Sequence, residues 1–193
     1  MKILAIALFL ALFCTPVMAR PFDYNFTIGP EYFYFSSNLA NVSANLVSCG
    51  IICNGNLYER WNLEFRGGVG EISTTKMNFN EISALYNTEY SPSSYFGIGT
   101  TLLSYDNIIN KATNVSFSLA KLNAKMQWEH SFSPLLGFYG KVVGPTAWGW
   151  EAGWLTYFNR DYGDFNIVLG YKDLRLSENI SMRGPYIASS VYF

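Results

Sequence analysis

Three features of this sequence predict an all-β fold, specifically a closed antiparallel up-and-down β-barrel that crosses a membrane. Apolar and polar residues alternate with a period of two through most of residues 22–193, as in strands that bury one face. Aromatic residues make up 18% of the chain and charged residues only 14%, an unusual balance for a soluble domain. After residue 20 no apolar run is long enough for a membrane helix, because Ser, Asn, Gly or a charge breaks it every second or third place. A chain of this kind enters a bilayer only by closing its sheet, which leaves no backbone group unpaired.

The amino-terminal stretch predicts export. Lys2 precedes an uncharged apolar run from Ile3 to Phe13, and Val17-Met18-Ala19 fits a cleavage site, so residues 1–19 read as a signal peptide and 20–193 as one barrel domain. Cys14 follows Phe13, which is too bulky for lipoprotein processing. The net charge of −1 and the absence of a basic tract argue against a nucleic-acid partner. Cys49 and Cys53 remain after cleavage and read as a disulfide in an oxidising compartment, one that closes too short a loop to stabilise much. No His or further Cys lies close in sequence, so neither a metal nor another cofactor is expected.

Taken in order, the first strand alternates Tyr24, Phe26, Ile28, Tyr32 and Tyr34 with Asn25, Thr27, Gly29 and Glu31. Residues 37–56 are rich in Asn and Ser and end in Asn54-Gly55-Asn56, a turn signal; they read as one long loop or as a short strand between turns. Trp61, Leu63, Phe65 and Val69 then alternate with Asn62, Glu64, Arg66 and Gly68. Residues 79–90 alternate weakly, and Ile82, Leu85 and Tyr86 fit a short helix equally well. After a turn at Ser91-Pro92-Ser93-Ser94 come Phe96, Ile98, Thr100 and Leu102. In the longest strand Val115, Phe117 and Leu119 give way to Leu122, Ala124, Met126 and Trp128, a change of phase near Ala120 that a β-bulge would produce.

Beyond Ser131-Phe132-Ser133-Pro134, Leu136, Phe138 and Val142 alternate with Gly137, Tyr139 and Lys141. Trp148, Trp150, Ala152 and Trp154 alternate with Gly149, Glu151 and Gly153, and Phe165, Ile167, Leu169 and Tyr171 with Asn166, Gly170 and Lys172. In the last strand Ile187, Ser189, Val191 and Phe193 share one face, and Tyr186, Ala188, Ser190 and Tyr192 the other. A barrel with both ends on one side needs an even number of strands. Eight follow if residues 79–90 are a loop or helix, and ten if both they and residues 41–52 pair; the reading leans to eight. Counting back from Phe193 puts Asn159–Asp164, Ser131–Pro134 and Ser91–Ser94 on the periplasmic side, and the loops at 37–56, 106–113, 144–146 and 177–183 outside.

With these residues in place, the second half of the chain resembles the small bacterial outer-membrane barrels of the OmpA/OmpX and Ail class. Gly149-Trp150-Glu151-Ala152-Gly153, Phe165–Leu169 followed by Gly170-Tyr171-Lys172, and Gly184-Pro185-Tyr186 leading to Phe193 carry the resemblance, which covers about residues 95–193. It implies an outer-membrane location, an unliganded barrel with a filled interior, and contact with membrane lipid and lipopolysaccharide. It also implies that Phe193, ending the closing strand, is the signal read by the outer-membrane assembly machinery. The short expected outer loops depart from the adhesins of this class. The reading is of a monomer.

The face opposite the aromatics carries Glu31, Glu64, Arg66, Lys121, Lys125, Glu129, Lys141, Glu151 and Lys172. Mixed signs suit a paired network that fills a narrow lumen better than a selective pore. The single His130 sits between Glu129 and Ser131, yet strand neighbours point to opposite faces, so a hydrolase set there does not converge. Trp61, Trp128, Trp148, Trp150 and Trp154 read as interfacial girdles rather than sugar platforms, and the four Asn-X-Ser/Thr sequons as chance. The sequence therefore points to a non-enzymatic outer-membrane barrel serving envelope integrity or cell-surface contact. The rivals are a small-solute channel, a lipid-modifying enzyme and a soluble secreted barrel.

Overall fold

The computed structural model describes residues 26–39, 42–58, 61–72, 75–91, 93–110, 115–158, 165–177 and 180–192. They form β1 (Phe26–Leu39), β2 (Val42–Tyr58), β3 (Trp61–Ile72), β4 (Thr75–Ser91), β5 (Ser94–Asn110), β6 (Val115–Ser133), β7 (Leu136–Gly144), β8 (Trp148–Phe158), β9 (Phe165–Ser177) and β10 (Ile180–Tyr192). Each strand pairs antiparallel with its chain neighbours, and β1 closes the sheet on β10 through pairs such as Thr27 with Tyr192 and Glu31 with Ala188. The expected all-β up-and-down barrel is the observed architecture. The signal peptide and Phe193 lie outside the described residues.

The barrel has ten strands, not the eight to which the sequence leans. Residues 79–90 are neither loop nor helix but most of β4, paired on both edges, and residues 42–58 form β2 rather than a long loop. Cys49 and Cys53 both lie in β2, opposite Tyr32 and Ile28 of β1. Four residues of continuous strand separate Cα atoms by about 13 Å, whereas a disulfide needs them within about 7 Å. The expected Cys49–Cys53 bond is therefore incompatible with β2 as an unbroken strand.

Near the end that carries the first and last strand termini, here the terminus end, the outward face is apolar. Trp61, Leu63, Phe65, Ile82, Tyr86, Ile98, Leu102, Leu122, Met126, Trp128, Val142, Trp150, Trp154, Leu169 and Ile187 are all exposed there. Aromatic rings interlock on this surface: Phe138 contacts Trp128 and Trp154 at centroid distances of 5.4 and 5.3 Å, and Trp150 stacks on Tyr171 at 5.8 Å. Gly140 makes this packing fit, since a Cβ there would lie 2.3 Å from the Trp128 ring.

Toward the far end the pattern inverts. Lumen positions become apolar, with Met77, Phe79, Leu103, Tyr105, Val143, Leu176 and Met182 packed as a buried cluster joined by Leu119 and Leu174. The outward positions at the same height are Lys76, Asn78, Asn80, Ser104, Asp106, Asp173, Arg175 and Arg183. Strand length supports this division: a tilted strand crosses a bilayer in about 9–11 residues, and β7 and β8 have 9 and 11, while β4 and β5 have 17 and β6 has 19. The surplus on the longer strands is where the inverted pattern appears. This inversion, not a bulge, explains the change of phase near Ala120. The pairing of β6 with β5 runs unbroken from Ser94–His130 to Tyr105–Leu119, and the irregularity falls beyond it, between Tyr105 and Ile108 of β5.

Candidate functional site: the charged lumen

Strand alternation alone carries the charged side chains inward. On β3, β4, β7, β8 and β9 the residues flanking each lumen charge in sequence face outward, among them Phe65, Ile82, Val142, Trp150 and Tyr171. Charges on strands around the whole wall thus meet at one height, just below the apolar cluster. Burial makes pairing obligatory there, because an ion taken out of water without a partner costs several kcal/mol.

The pairs form a ring of alternating sign. Glu81 Oε2 accepts Lys141 Nζ at 3.2 Å, Lys141 Nζ lies 2.9 Å from Glu151 Oε2, and Glu151 Oε2 is 3.9 Å from Lys172 Nζ. Lys172 bonds Glu31 Oε1, whose second oxygen is 3.3 Å from Arg66 Nε. Arg66 Nη1 returns to Glu81 at 3.7 Å and also spans the lumen to Glu151 Oε2 at 2.8 Å. Lys125, fully buried, extends the ring by donating to Glu81 at 3.0 Å, to Ser83 Oγ at 3.0 Å and to Glu64. The Lys172 ammonium also sits 4.2 Å from the centroid of the Tyr186 ring, a cation–π contact that helps hold it in place.

Of the charges expected to form the lumen network, the structure brings together Glu31, Glu64, Arg66, Lys125, Lys141, Glu151 and Lys172. Lys121 stands apart, half-buried opposite Leu103 in the apolar layer. Glu129 also stands apart, nearer the terminus end, accepting a hydrogen bond from the Tyr157 hydroxyl. The sequence reading missed Glu81, a hub of the ring, because it lies in the segment read as a loop or helix. The signal was there: Met77, Phe79, Glu81, Ser83 and Leu85 share one parity.

A cavity of about 60 Å³ lies between the ring and the apolar cluster, bordered by Glu31, Arg66, Glu81, Phe79, Tyr105 and Met182 among others. It has room for a few waters and is far below the size of a drug-sized ligand pocket. His130 faces outward and hydrogen-bonds Ser94 Oγ through Nδ1 at 2.7 Å, whereas Glu129, Ser131 and Ser133 face the lumen, so these groups do not converge. Among the described residues no cluster of His, Cys, Asp and Glu has the arrangement of a metal site.

No protein-family model and no curated protein matches the sequence. Among solved structures the chain is similar to the N-terminal β-barrel domain of Pseudomonas aeruginosa OprF, at 14% identity over 86% of this chain and 97% of that one, with a TM-score of 0.45. It is similar to neisserial surface protein A at 12% identity, 87% and 97% coverage and a TM-score of 0.46. The translocator domain of the autotransporter NalP from Neisseria meningitidis is similar at 10% identity, with 88% of each chain covered and a TM-score of 0.43.

Proposed function

We propose that this chain is a non-enzymatic outer-membrane β-barrel whose role is envelope integrity or contact at the cell surface. The observation that carries the proposal is the apolar outward belt around a lumen filled by paired charges. A soluble protein rarely exposes so large an apolar surface, while lipid requires one. The charge ring and the apolar cluster above it occupy the path a solute would take, which favours a sealed structural barrel over a channel. In this reading the terminus end faces the periplasm, the belt contacts membrane lipid and lipopolysaccharide, the barrel is a monomer, and Phe193 serves the outer-membrane assembly machinery.

Fractionation of native cells tests the location: recovery in the membrane fraction with heat-modifiable migration is expected, and recovery in buffer as a soluble protein would overturn it. Orientation is tested by single cysteines in a background lacking Cys49 and Cys53. Thiols at Asn110 and Asn179 should label on intact cells and one at Asp161 should not; the opposite result would reverse the topology. Deleting Phe193 should sharply reduce inserted protein, and undiminished insertion would remove its assigned role.

A further inference from the structure

The seam that closes the barrel differs from the other ladders. Between β1 and β10 the register is constant from Thr27–Tyr192 to Asn38–Ser181, yet no pair forms at Gly29 and Pro30 or at Tyr34 and Phe35. The ladders β3–β4, β7–β8 and β8–β9, which carry much of the apolar belt, run without such a gap. Each gap falls on a proline, since that register sets Pro30 opposite Ser189 and Tyr34 opposite Pro185.

Both prolines withhold a donor from the seam. The N–H and C=O of a strand residue point to the same neighbouring strand, and the next residue's point to the other. Pro30 still pairs with Ile51 of β2, and Pro185 with Tyr171 of β9, inside unbroken stretches of ladder. The missing N–H groups are therefore those that would face β10 and β1, which leaves the Ser189 and Tyr34 carbonyls without a cross-strand donor. Proline is otherwise kept to sheet edges, and here one stands on each of the two edges that closure joins. At the first gap the Ser189 carbonyl oxygen lies 1.6 Å from where a Gly29 Cβ would stand, so a side chain there would force the strands apart.

Between the gaps the seam keeps three pairs, from Glu31–Ala188 to Phe33–Tyr186. Lys172 of β9 holds them from the lumen. Its ammonium bonds Glu31 and sits 5.1 Å from the Phe33 ring centroid on β1 and 4.2 Å from that of Tyr186 on β10. The second gap lies beside the cavity, whose border includes Glu31, Phe33 and Met182.

We propose that the β1–β10 seam is a lateral gate, latched by Lys172, whose opening joins this cavity to the outside of the barrel wall. Parting the seam breaks fewer backbone hydrogen bonds than parting an unbroken ladder of the same length, so it opens while the other ladders stay closed. One side chain serves as the latch because it touches both strands of the seam. The gate is separate from the axial path that the ring and the apolar cluster block, and it rests on the closed barrel rather than on the outer-membrane reading.

Amide hydrogen exchange, read by NMR on the isotope-labelled full chain in neutral-detergent micelles, tests it, because opening frees alternate amides only. Those of Tyr32, Tyr34, Ile187 and Ser189 face the seam, while those of Glu31, Phe33, Tyr186 and Ala188 face β2 or β9. The seam set should exchange at least about tenfold faster than the interleaved set. Pro185→Ala, which restores a donor opposite Tyr34, should slow the seam set by roughly fivefold. Lys172→Met should speed it by at least about tenfold and leave the interleaved amides unchanged. Equal exchange of the two sets in the wild type, unchanged or faster exchange in Pro185→Ala, or unchanged or uniformly faster exchange in Lys172→Met would overturn the proposal. Liposome insertion of the same protein reports separately on the outer-membrane reading.

Discussion

Arg66 Nη1 lies 2.8 Å from Glu151 Oε2, joining β3 to β8, strands that are not neighbours in the sheet. The contact crosses the lumen, and Nη2 adds a second, longer one of 3.3 Å to Glu151 Oε1, so the guanidinium faces the carboxylate with both nitrogens. This two-point geometry is what Arg offers and Lys does not. The same guanidinium reaches Glu31 and Glu81, so one side chain ties together β1, β3, β4 and β8.

Reversing the Glu151 charge should therefore be severe. Glu151→Lys would place a fourth cation among Arg66, Lys141 and Lys172, and loss of a buried pairing typically costs about 3–5 kcal/mol. Trp150→Phe keeps an apolar ring on the outward face and should cost less than about 1.5 kcal/mol. Urea unfolding of both variants in one lipid checks the order; a larger loss for Trp150→Phe would mean that the two faces are inverted.

Removing both partners should hurt less than the sum of removing each. Arg66→Met or Glu151→Met alone leaves a buried charge short of its partner, whereas the double variant leaves neither, so a coupling energy of about 0.5–3 kcal/mol is expected. A double-mutant cycle in the same lipid measures it, and strict additivity would show that the contact contributes nothing specific.

Height on the outward wall should decide what a charge costs. Met126 is in the middle of the apolar belt and Asn80 on the polar collar of β4 above it. Met126→Arg should destabilise by about 2–4 kcal/mol and Asn80→Arg by no more than about 1, as for midplane and interfacial positions in membrane barrels. Equal costs would place the belt boundary elsewhere.

Much of this was legible along each strand, because period-two alternation is a local property. Trp148, Trp150 and Trp154 against Glu151 already give both faces of β8. Two kinds of information were not local. The belt boundary crosses strands midway, so Phe79 and Ile82, or Leu119 and Leu122, reverse the apolar parity without breaking the strand, which imitates a bulge or a helix. The trans-lumen partner of Glu151 depends on the curvature of the closed sheet. Chain order points to Lys141 and Lys172, on the strands beside it, and says nothing of Arg66.

The cysteines give a simple check on β2. With Cys49 and Cys53 on one unbroken strand, intact protein denatured with an alkylating agent and no reductant should take up label at both. An unlabelled pair would show that β2 is interrupted between them.

The central claim is that paired charges and the apolar cluster close the lumen. Single-channel recording of the wild-type barrel in planar bilayers, after heat-modifiable migration has confirmed insertion, tests it most directly. The account predicts a baseline without discrete conductance steps at moderate voltage. Reproducible, stepwise currents from the wild-type protein would contradict it, because ions would then be passing the ring that Arg66, Glu151 and their partners are proposed to close.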